Sequence, residues 1–309
     1  MSSEPIPLID HDYLKGTEPV VSISCIAYNQ ENFIRDAVEG FLMQKTTFPV
    51  EILIHDDAST DKTADIIREY EKKYPLLIKS IYQTENQYSQ GIRPSKFNRE
   101  RAKGKYYALC EGDDYWTDLL KLQKQVEYME KHPEVSLSFH AIKKIDQLTG
   151  VSENIIANAE LKNGFLELDR LLLGKWVHHT ASFMVRSEVV KKEYPDFMRL
   201  APVGDIALKL LALSTGKMGY LPDNMAVYRK FGSSSWSLHT RDIKWSYNWM
   251  TKYNAMLDGF DKYTSYKHSQ IIRTAKKRQR IQFWKRSMKY LVSSLGLYSF
   301  AKKTYKKTR

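Results

Sequence analysis

The chain has 309 residues, of which 42% are hydrophobic and 27% are charged, a globular composition that argues against wholesale disorder. It carries 48 basic and 36 acidic residues, and fifteen of the basic ones lie in residues 262–309, which contain no Asp or Glu. The two cysteines, Cys25 and Cys110, sit in apolar runs. A disulfide framework or a thiolate zinc site is therefore not expected, and a reducing compartment is.

The first half of the chain alternates between strand and helix patterns. Buried strands are predicted where β-branched and apolar residues cluster, and helices where apolar residues recur every three to four positions. The strands are expected at 21–28, 50–57, 76–83 and 106–110. The helices are expected at 33–44 and from a cap at Ser59 or Thr60 to the residue before Pro75. This order predicts an α/β, Rossmann-like fold with a mostly parallel central sheet flanked by helices.

The second half is less regular. A helix is predicted at 118–132, followed by a strand at 135–142, a short helix at 166–173, a strand at 179–185, a helix from Asp205 to about Ser214 and a strand at 225–231. From residue 237 onward the pattern indicates a helical, basic C-terminal extension. The start of the chain lacks the basic end and apolar core of a signal peptide. No apolar run approaches the ~18 to 20 residues of a membrane span, so a cytoplasmic location is expected.

The glycine spacing excludes two nucleotide-binding motifs. The sequence has neither the GxGxxG dinucleotide fingerprint nor the GxxxxGK[ST] phosphate loop. A parallel-sheet protein that binds a charged ligand without either loop is expected to use carboxylates and a divalent cation. The polar stretch 85–97 is long for a simple connection, which suggests a binding loop.

Two acidic pairs follow predicted strands. Asp56 and Asp57 end the second strand, and Asp113 and Asp114 come after the fourth. Ligands of open α/β sheets bind beyond the carboxyl ends of strands, so the two pairs are expected in one cleft. Each pair alone also fits an acidic turn that caps the next helix, and their joint occurrence favours the binding interpretation.

Three segments resemble the inverting family 2 glycosyltransferases with the GT-A fold, bacterial builders of surface polysaccharides in particular. They are VSISCIAYNQENFIRDAVEGFLMQ, VEILIHDDASTDKTADII and AKGKYYALCEGDDYWTDLLKLQKQ. The resemblance covers about residues 20–236. It implies a nucleotide-sugar-binding subdomain at 21–120 after a lead-in at 1–20, an acceptor-binding subdomain at 121–236, and the helical basic region at 237–309.

The resemblance also implies roles for individual residues. Ala27, Tyr28 and Asn29 would line the nucleotide pocket, Asp57 would bind the base with Asp56 beside it, and Asp113 would hold the ribose or assist the metal. Asp114 would ligate a Mn²⁺ or Mg²⁺ ion on the diphosphate. Glu111 takes the first position of the family's motif of an acid, any residue and two acids, a conservative departure, and is a further candidate metal ligand.

Further candidates follow from the same resemblance. Asp205, at the start of a helix, matches the family's catalytic base and also suits a helix cap. Arg93, in the stretch 85–97, would lie near phosphate or sugar, and a solvated surface charge is the alternative. The remaining candidates, for contact with acceptor or donor, are Trp116, His179, Arg229 and Trp236. Phe231 replaces a histidine that can contact metal or phosphate in relatives, so the third metal contact is open.

The basic tail has an amphipathic pattern. Residues 281–295 place Ile281, Trp284 and Met288 on one predicted helical face with Leu291, Val292 and Leu295, and basic residues lie around it. Such a helix suits an anionic membrane surface, here through residues 273–309. Packing of the face on the catalytic body and non-specific binding of nucleic acid are the alternatives.

The expected function is metal-dependent, inverting transfer of a sugar from a UDP-linked donor to a saccharide or lipid-linked saccharide in cell-surface polysaccharide synthesis. The enzyme is expected on the inner face of the cytoplasmic membrane. A sugar-phosphate nucleotidyltransferase is an alternative, although its glycine-rich basic signature is missing. A degenerate, membrane-associated scaffold is the other alternative.

Overall fold

A computed structural model describes residues 4–11, 18–175, 177–191, 193–231 and 242–294. The chain divides into two compact units. The first comprises Met1–Tyr194 and Lys209–Lys230, and the second comprises Pro195–Leu208 and Phe231–Arg309.

The described segments contain twelve strands and ten α-helices. The strands are β1 (Ile6–Pro7), β2 (Val21–Ala27), β3 (Lys45–Thr46), β4 (Val50–Asp56), β5 (Ile78–Tyr82), β6 (Tyr106–Leu109), β7 (Tyr115–Trp116), β8 (Val135–Asp146), β9 (Ser152–Ile155), β10 (Phe165–Leu166), β11 (Met184–Arg186) and β12 (Lys217–Lys230). The helices are α1 (Ile34–Leu42), α2 (Thr63–Lys73), α3 (Ser95–Arg101), α4 (Lys121–Lys131), α5 (Leu168–Leu173), α6 (Ser187–Lys191), α7 (Asp196–Leu200), α8 (Gly204–Thr215), α9 (Ile243–Tyr263) and α10 (Ser269–Ser294).

A ten-stranded mixed sheet forms the centre of the first unit. Its main path runs β10-β12-β8-β11-β6-β2-β4-β5, with β7 paired to β12 and β9 to β8. Strands β6, β2, β4 and β5 are parallel, as the alternating pattern predicts. Strand β11 enters antiparallel between β6 and β8. The α/β fold with helices on the sheet is confirmed, and antiparallel pairs enter through the second half of the chain.

The strands of the parallel half are buried because they are covered on both faces. Every residue of β4 is buried, as are six of the seven residues of β2. Helix α1 buries its apolar stripe, Ile34, Ala37, Val38 and Phe41. Each large apolar side chain removed from water stabilises the fold by roughly 1.5–3 kcal/mol. The helical period of residues 33–44 therefore reflects real burial.

The predicted loop at 85–97 is partly helical. It contains a 3₁₀ turn at Tyr88–Gln90, and its last residues belong to α3. Asn98, fully buried on α3, donates its amide N–H groups to Ser24 Oγ (3.1 Å) and to the carbonyls of Cys25 and Leu53 (each 2.9 Å). These contacts tie the helix to β2 and β4, a tertiary effect that the polar sequence of the loop does not reveal.

The second unit contains α7, α9 and α10. Asp242 caps α9 by accepting hydrogen bonds from the N–H groups of Lys244 and Trp245. Phe197 of α7 packs edge-on against Phe260 of α9, with 5.4 Å between ring centres. In the described segments, no helix combines the length and the apolar character that crossing a bilayer requires.

Candidate active site

The two acidic pairs flank the carboxyl end of β2. On one side, the Asp57 N–H donates to the Ala27 carbonyl (2.9 Å), and Ala27 is in register with Asp56 of β4. On the other side, the Gly112 N–H donates to the Ile26 carbonyl (3.0 Å). The segments 56–57 and 111–114 therefore lie on either side of one strand end, where parallel sheets bind ligands.

Gly112 permits this close approach. A Cβ atom at this position would collide with the side chains of Gln30 and Ile34. The glycine thus lets the acidic segment 111–114 lie directly against the turn that follows β2. A larger residue would require the ends of the Gln30 and Ile34 side chains to move.

The loops after β2 and β4 are joined by hydrogen bonds. The Asn29 N–H donates to Ser59 Oγ (3.0 Å), and Asn29 Oδ1 accepts from the Thr60 N–H (2.8 Å). The Glu31 N–H donates to Asp61 Oδ2 (3.1 Å). Asn29 and Ala58 both have left-handed backbone conformations, with φ of 51° and 63°. Such strain is maintained by surrounding contacts and is concentrated at functional sites.

Asp56 and Asp57 differ in what their carboxylates contact. Asp57 Oδ1 and Oδ2 accept the N–H groups of Gln87 (2.9 Å) and Tyr88 (3.1 Å), so this side chain holds the loop before α3. Asp56 Oδ2 accepts the Ser59 N–H (3.1 Å), while its buried Oδ1 has no hydrogen-bond partner among the described residues. Both side chains are 2% exposed.

The segment 111–114 combines one buried carboxylate with two that are partly exposed. Asp114 is 2% exposed, and its Oδ1 accepts the Arg229 N–H (2.8 Å). Burial, followed by the negative charges of Asp113 and Glu111, raises the pKa of Asp114 well above its usual value. Burial also raises the pKa of Asp113, and Arg229 opposes that shift. Asp113 and Glu111 thus repel the charge of Asp114, a repulsion that a cation would relieve.

Arg229 fixes this segment to β12. Its guanidinium donates to the Asp113 carbonyl (3.0 Å) and to the Asp36 carboxylate, and it lies 4.3 Å from the centre of the Tyr115 ring. Arg229 is 9% exposed, so in this structure it holds the acidic segment from within. The prediction that it contacts acceptor or donor stays a prediction.

The other predicted residues occupy varied positions. Tyr28 is 47% exposed beside the buried Ala27, and Arg93 is half-buried between the 3₁₀ turn and α3. The His179 ring packs against the ring of Tyr228 at a tilt, with 4.5 Å between ring centres. Asp205, in the first turn of α8, accepts the N–H of Ile206 (2.7 Å).

The two predicted contact residues that are tryptophans are Trp116 and Trp236. Trp116 belongs to the core instead of an open surface: it is 1% exposed, and its indole N–H donates to the Ala181 carbonyl (2.9 Å). Packing against Phe41 accounts for its burial. Trp236 lies outside the described residues.

A divalent ion fits this segment only with help from a ligand. Within the described ranges, no three His, Cys, Asp or Glu side chains are grouped so as to hold a metal on their own. Glu111, Asp113 and Asp114 supply only oxygen atoms, and their clustered charge is what Mg²⁺ and Mn²⁺ neutralise. These ions usually complete their coordination with substrate phosphates and water. Burial raises the pKa of both cysteine thiols, which argues against thiolate ligands.

Two further residues of this region carry no sequence signal. Asp36, on α1, pairs with Arg229, a residue 193 positions away in the chain. Lys121 is fully buried, donates to Gln125 Oε1 (2.7 Å) and lies 3.9 Å from the centre of the Trp116 ring. Local periodicity assigns both residues to ordinary polar helix positions, so only the tertiary contacts identify them.

Comparison with known proteins is consistent with this geometry. The chain is 39% identical over 217 residues to an uncharacterized protein of Mycobacterium tuberculosis, a match that covers 70% of this chain and 60% of that protein. Over 134 residues it is 37% identical to the UDP-Glc:alpha-D-GlcNAc-diphosphoundecaprenol beta-1,3-glucosyltransferase WfaP of Escherichia coli, covering 43% of this chain and 50% of WfaP. The chain thus spans about 60% of the length of its mycobacterial relative.

A solved structure shares the fold. The mannosyltransferase PcManGT of Pyrobaculum calidifontis, in complex with GDP-Man and Mn²⁺, aligns over 98% of this chain and 85% of its own, with a TM-score of 0.57 and 13% identity. At that identity the likeness concerns the fold alone. The sequence pattern of Glycosyl transferase family 2 matches residues 22–193, more than half of the chain. This chain therefore belongs to glycosyltransferase family 2.

Proposed function

We propose that the protein transfers a sugar from a UDP-sugar donor to a hydroxyl group of a saccharide or lipid-linked saccharide, with inversion at the anomeric carbon. One observation carries the proposal: the acidic segments 56–57 and 111–114, which follow two different strands of the sheet, lie on either side of the end of β2 at Ala27. The likeness to WfaP, whose name specifies a UDP-glucose donor and a diphosphoundecaprenol-linked acceptor, supports the choice of substrates. Cell-surface polysaccharide synthesis is the corresponding process.

The nucleoside is proposed to bind at the turn formed by Ala27, Tyr28 and Asn29. The buried Asp56 Oδ1 has an open acceptor position, which suits the imide N–H of uracil. Asp57 already accepts two N–H groups from the loop, so a base contact at Asp57 would require the loop to move. Arg93, at the end of that loop, is proposed to face the diphosphate or the sugar.

The diphosphate is proposed to lie over the segment 111–114. Asp113 and Glu111 are partly exposed and would hold Mn²⁺ or Mg²⁺ together with phosphate oxygens, while Asp114 shapes the segment through its bond to the Arg229 N–H. This differs from the assignment of Asp114 as the principal ligand, because one of its oxygens is already engaged and the residue is buried. A bound ion would stabilise the negative charge that develops on the departing diphosphate.

The transfer is proposed as an in-line displacement. The acceptor oxygen forms a bond to the anomeric carbon, and the bond from that carbon to the β-phosphate oxygen breaks on the opposite face. Its electron pair leaves with the diphosphate, and the acceptor proton passes to the carboxylate of Asp205. Asp205 is half-buried at the start of α8, and a positioned carboxylate suffices for this proton transfer.

A thermal-shift titration tests this function. UDP should raise the melting temperature when Mn²⁺ or Mg²⁺ is present and do so weakly without it, whereas GDP should have little effect. Asp113→Asn should remove most of the metal dependence. The matched control is Asp169→Asn, on α5, which should behave as wild type. A protein that no nucleotide stabilises, with or without metal, would contradict the proposal.

A further inference from the structure

We propose that α10 carries a membrane-binding surface: three apolar side chains that insert into the interfacial region of an anionic bilayer, surrounded by basic residues that contact lipid phosphates. The three are Ile281, Trp284 and Met288, named here the α10 stripe. This surface lies in the second unit and uses no residue of the nucleotide site, so the inference is independent of the proposed chemistry.

The α10 stripe is exposed, although its residues are large and apolar. Ile281 is 45% exposed, Trp284 63% and Met288 56%. Their spacing of three and four residues places them on one helical face, within an arc of about 60°. Three adjacent exposed side chains of this size form a patch, in contrast to the scattered apolar residues of an ordinary surface.

The opposite face of α10 is already packed. Ile272 and Ala275 are buried at 2% and 1% exposure. The ring of Phe283 lies 5.9 Å from that of Tyr247 on α9, and Lys276 Nζ donates to both oxygens of Asp258 on α9 (2.6 Å). The helix is thus held in the second unit by one face and presents the stripe on the other. The exposure of these three side chains favours an external partner over packing within the protein.

Charge identifies the partner as an anionic surface. Arg273, Lys277, Arg278, Arg280 and Lys285 are all exposed on α10, and no acidic residue occurs from 262 to 309. Viewed down the helix axis, these residues lie either next to the α10 stripe or on the same face as it. An apolar strip with a tryptophan, bordered by Lys and Arg, suits a helix lying in the plane of the lipid headgroups. A second copy of this chain would bring like charges together, which disfavours self-association through this face.

The experiment is co-sedimentation of the full chain with vesicles of phosphatidylcholine alone or with phosphatidylglycerol added. Wild type should bind only the anionic vesicles and dissociate as salt is raised. The triple variant Ile281→Ser, Trp284→Ser, Met288→Ser should lower the partition coefficient at least about tenfold. Neutralising Arg273, Lys277 and Arg280 to Gln should lower it by about a hundredfold, since each cation near the surface contributes severalfold.

A matched control replaces three exposed apolar residues elsewhere. Leu148, Val151 and Ile156 are 70%, 67% and 53% exposed around the β8–β9 hairpin, and their change to Ser should leave vesicle binding intact. Equal loss in the control and stripe variants, or wild-type binding by the stripe variant, would overturn the inference. Two other results would also overturn it. In the first, the wild type does not bind vesicles and is a dimer that the stripe variant converts to a monomer. In the second, the wild type binds RNA more tightly than anionic vesicles. Metal-dependent stabilisation by UDP, measured in parallel, should be the same in all variants.

Discussion

At the scale of single residues, neighbouring acids acquire different tasks from their contacts. Asp56 retains an open acceptor oxygen, while both oxygens of Asp57 bind loop N–H groups. Asp113 and Asp114 differ in burial instead, since Asp113 is partly exposed and Asp114 is buried. Asp56 and Asp57 are equally buried and Asp113 lies in a turn, so the contacts that the fold supplies, and not strand alternation, produce both differences.

The acidic pair after β4 gives a test of these roles. Asp56→Asn should weaken UDP binding about tenfold or more, because an amide in place of the carboxylate weakens or loses the hydrogen bond to the base. Asp57→Asn should chiefly loosen the loop, since an amide offers a single acceptor oxygen to the two N–H donors. Calorimetric titration with UDP and limited proteolysis of the loop distinguish the two. Weaker UDP binding in Asp57→Asn with an intact loop would assign the base contact to Asp57.

Lys121 predicts a specific pH dependence of stability. Burial lowers the pKa of its ammonium group from 10.5 to about 7. Between these values the unfolded chain binds the extra proton, so the free energy of unfolding rises with pH from about 7 to 10.5. Lys121 changes the free energy of unfolding by at most about 1.4 kcal/mol per pH unit.

The variant Lys121→Met should flatten this rise in urea denaturation measured at several pH values. The exposed Lys131→Met on the same helix should retain the wild-type slope. The free energy of unfolding at a single pH does not test the pKa of Lys121, because the variant also leaves Gln125 Oε1 without its hydrogen-bond donor. Parallel curves for Lys121→Met and wild type would show that the buried lysine keeps an ordinary pKa.

At the scale of elements, hydrogen bonds across the sheet place the binding loops. The loops after β2 and β4 are joined through Asn29, Ser59 and Thr60, and α3 is attached to the same strands through Asn98. The alternating pattern predicts the strands and α1 closely, because burial and periodicity coincide there. It misses α3, whose short polar sequence is stabilised by tertiary hydrogen bonds from Asn98 and from Arg101, which donates to the carbonyls of Ile54 and Lys79.

Asn98→Ala should therefore destabilise the protein by about 2–4 kcal/mol, because it removes three donated hydrogen bonds and one accepted from Arg101, and it leaves buried acceptors without a donor. The exposed Asn158→Ala, in a 3₁₀ turn, is the control and should change the free energy of unfolding by less than about 0.5 kcal/mol. Chemical denaturation measures both. A loss for Asn98→Ala as small as that of the control would mean that α3 docks by other contacts.

At the scale of the whole molecule, the chain divides its predicted tasks between two units. The acidic segments and Arg229 belong to the first unit, while Asp205 and α10 belong to the second. Asp205 accepts the N–H of the next residue, a contact that also suits a helix cap, so its catalytic role stays a prediction.

Asp205→Asn should retain UDP affinity and lose at least about a hundredfold in turnover, the usual contribution of a positioned base. Nucleotide release during transfer gives the turnover, and calorimetry gives the affinity. Asp196→Asn, in the first turn of α7, is the control for a helix-start acid in the same unit. Unchanged turnover in Asp205→Asn would remove this residue from the mechanism.

The sequence by itself determined the α/β class, the strands of the parallel half, the family and the two acidic segments, because these depend on local periodicity and on short motifs. Only the tertiary structure decided which carboxylate keeps an oxygen without a hydrogen bond from the described residues and showed that Asp36 pairs with Arg229, 193 positions away. It also showed that Trp116 lies in the core and that the α10 stripe is exposed. These features arise from contacts between segments distant in the chain. Hydrophobic period identifies an apolar face, but only packing shows whether another element covers it.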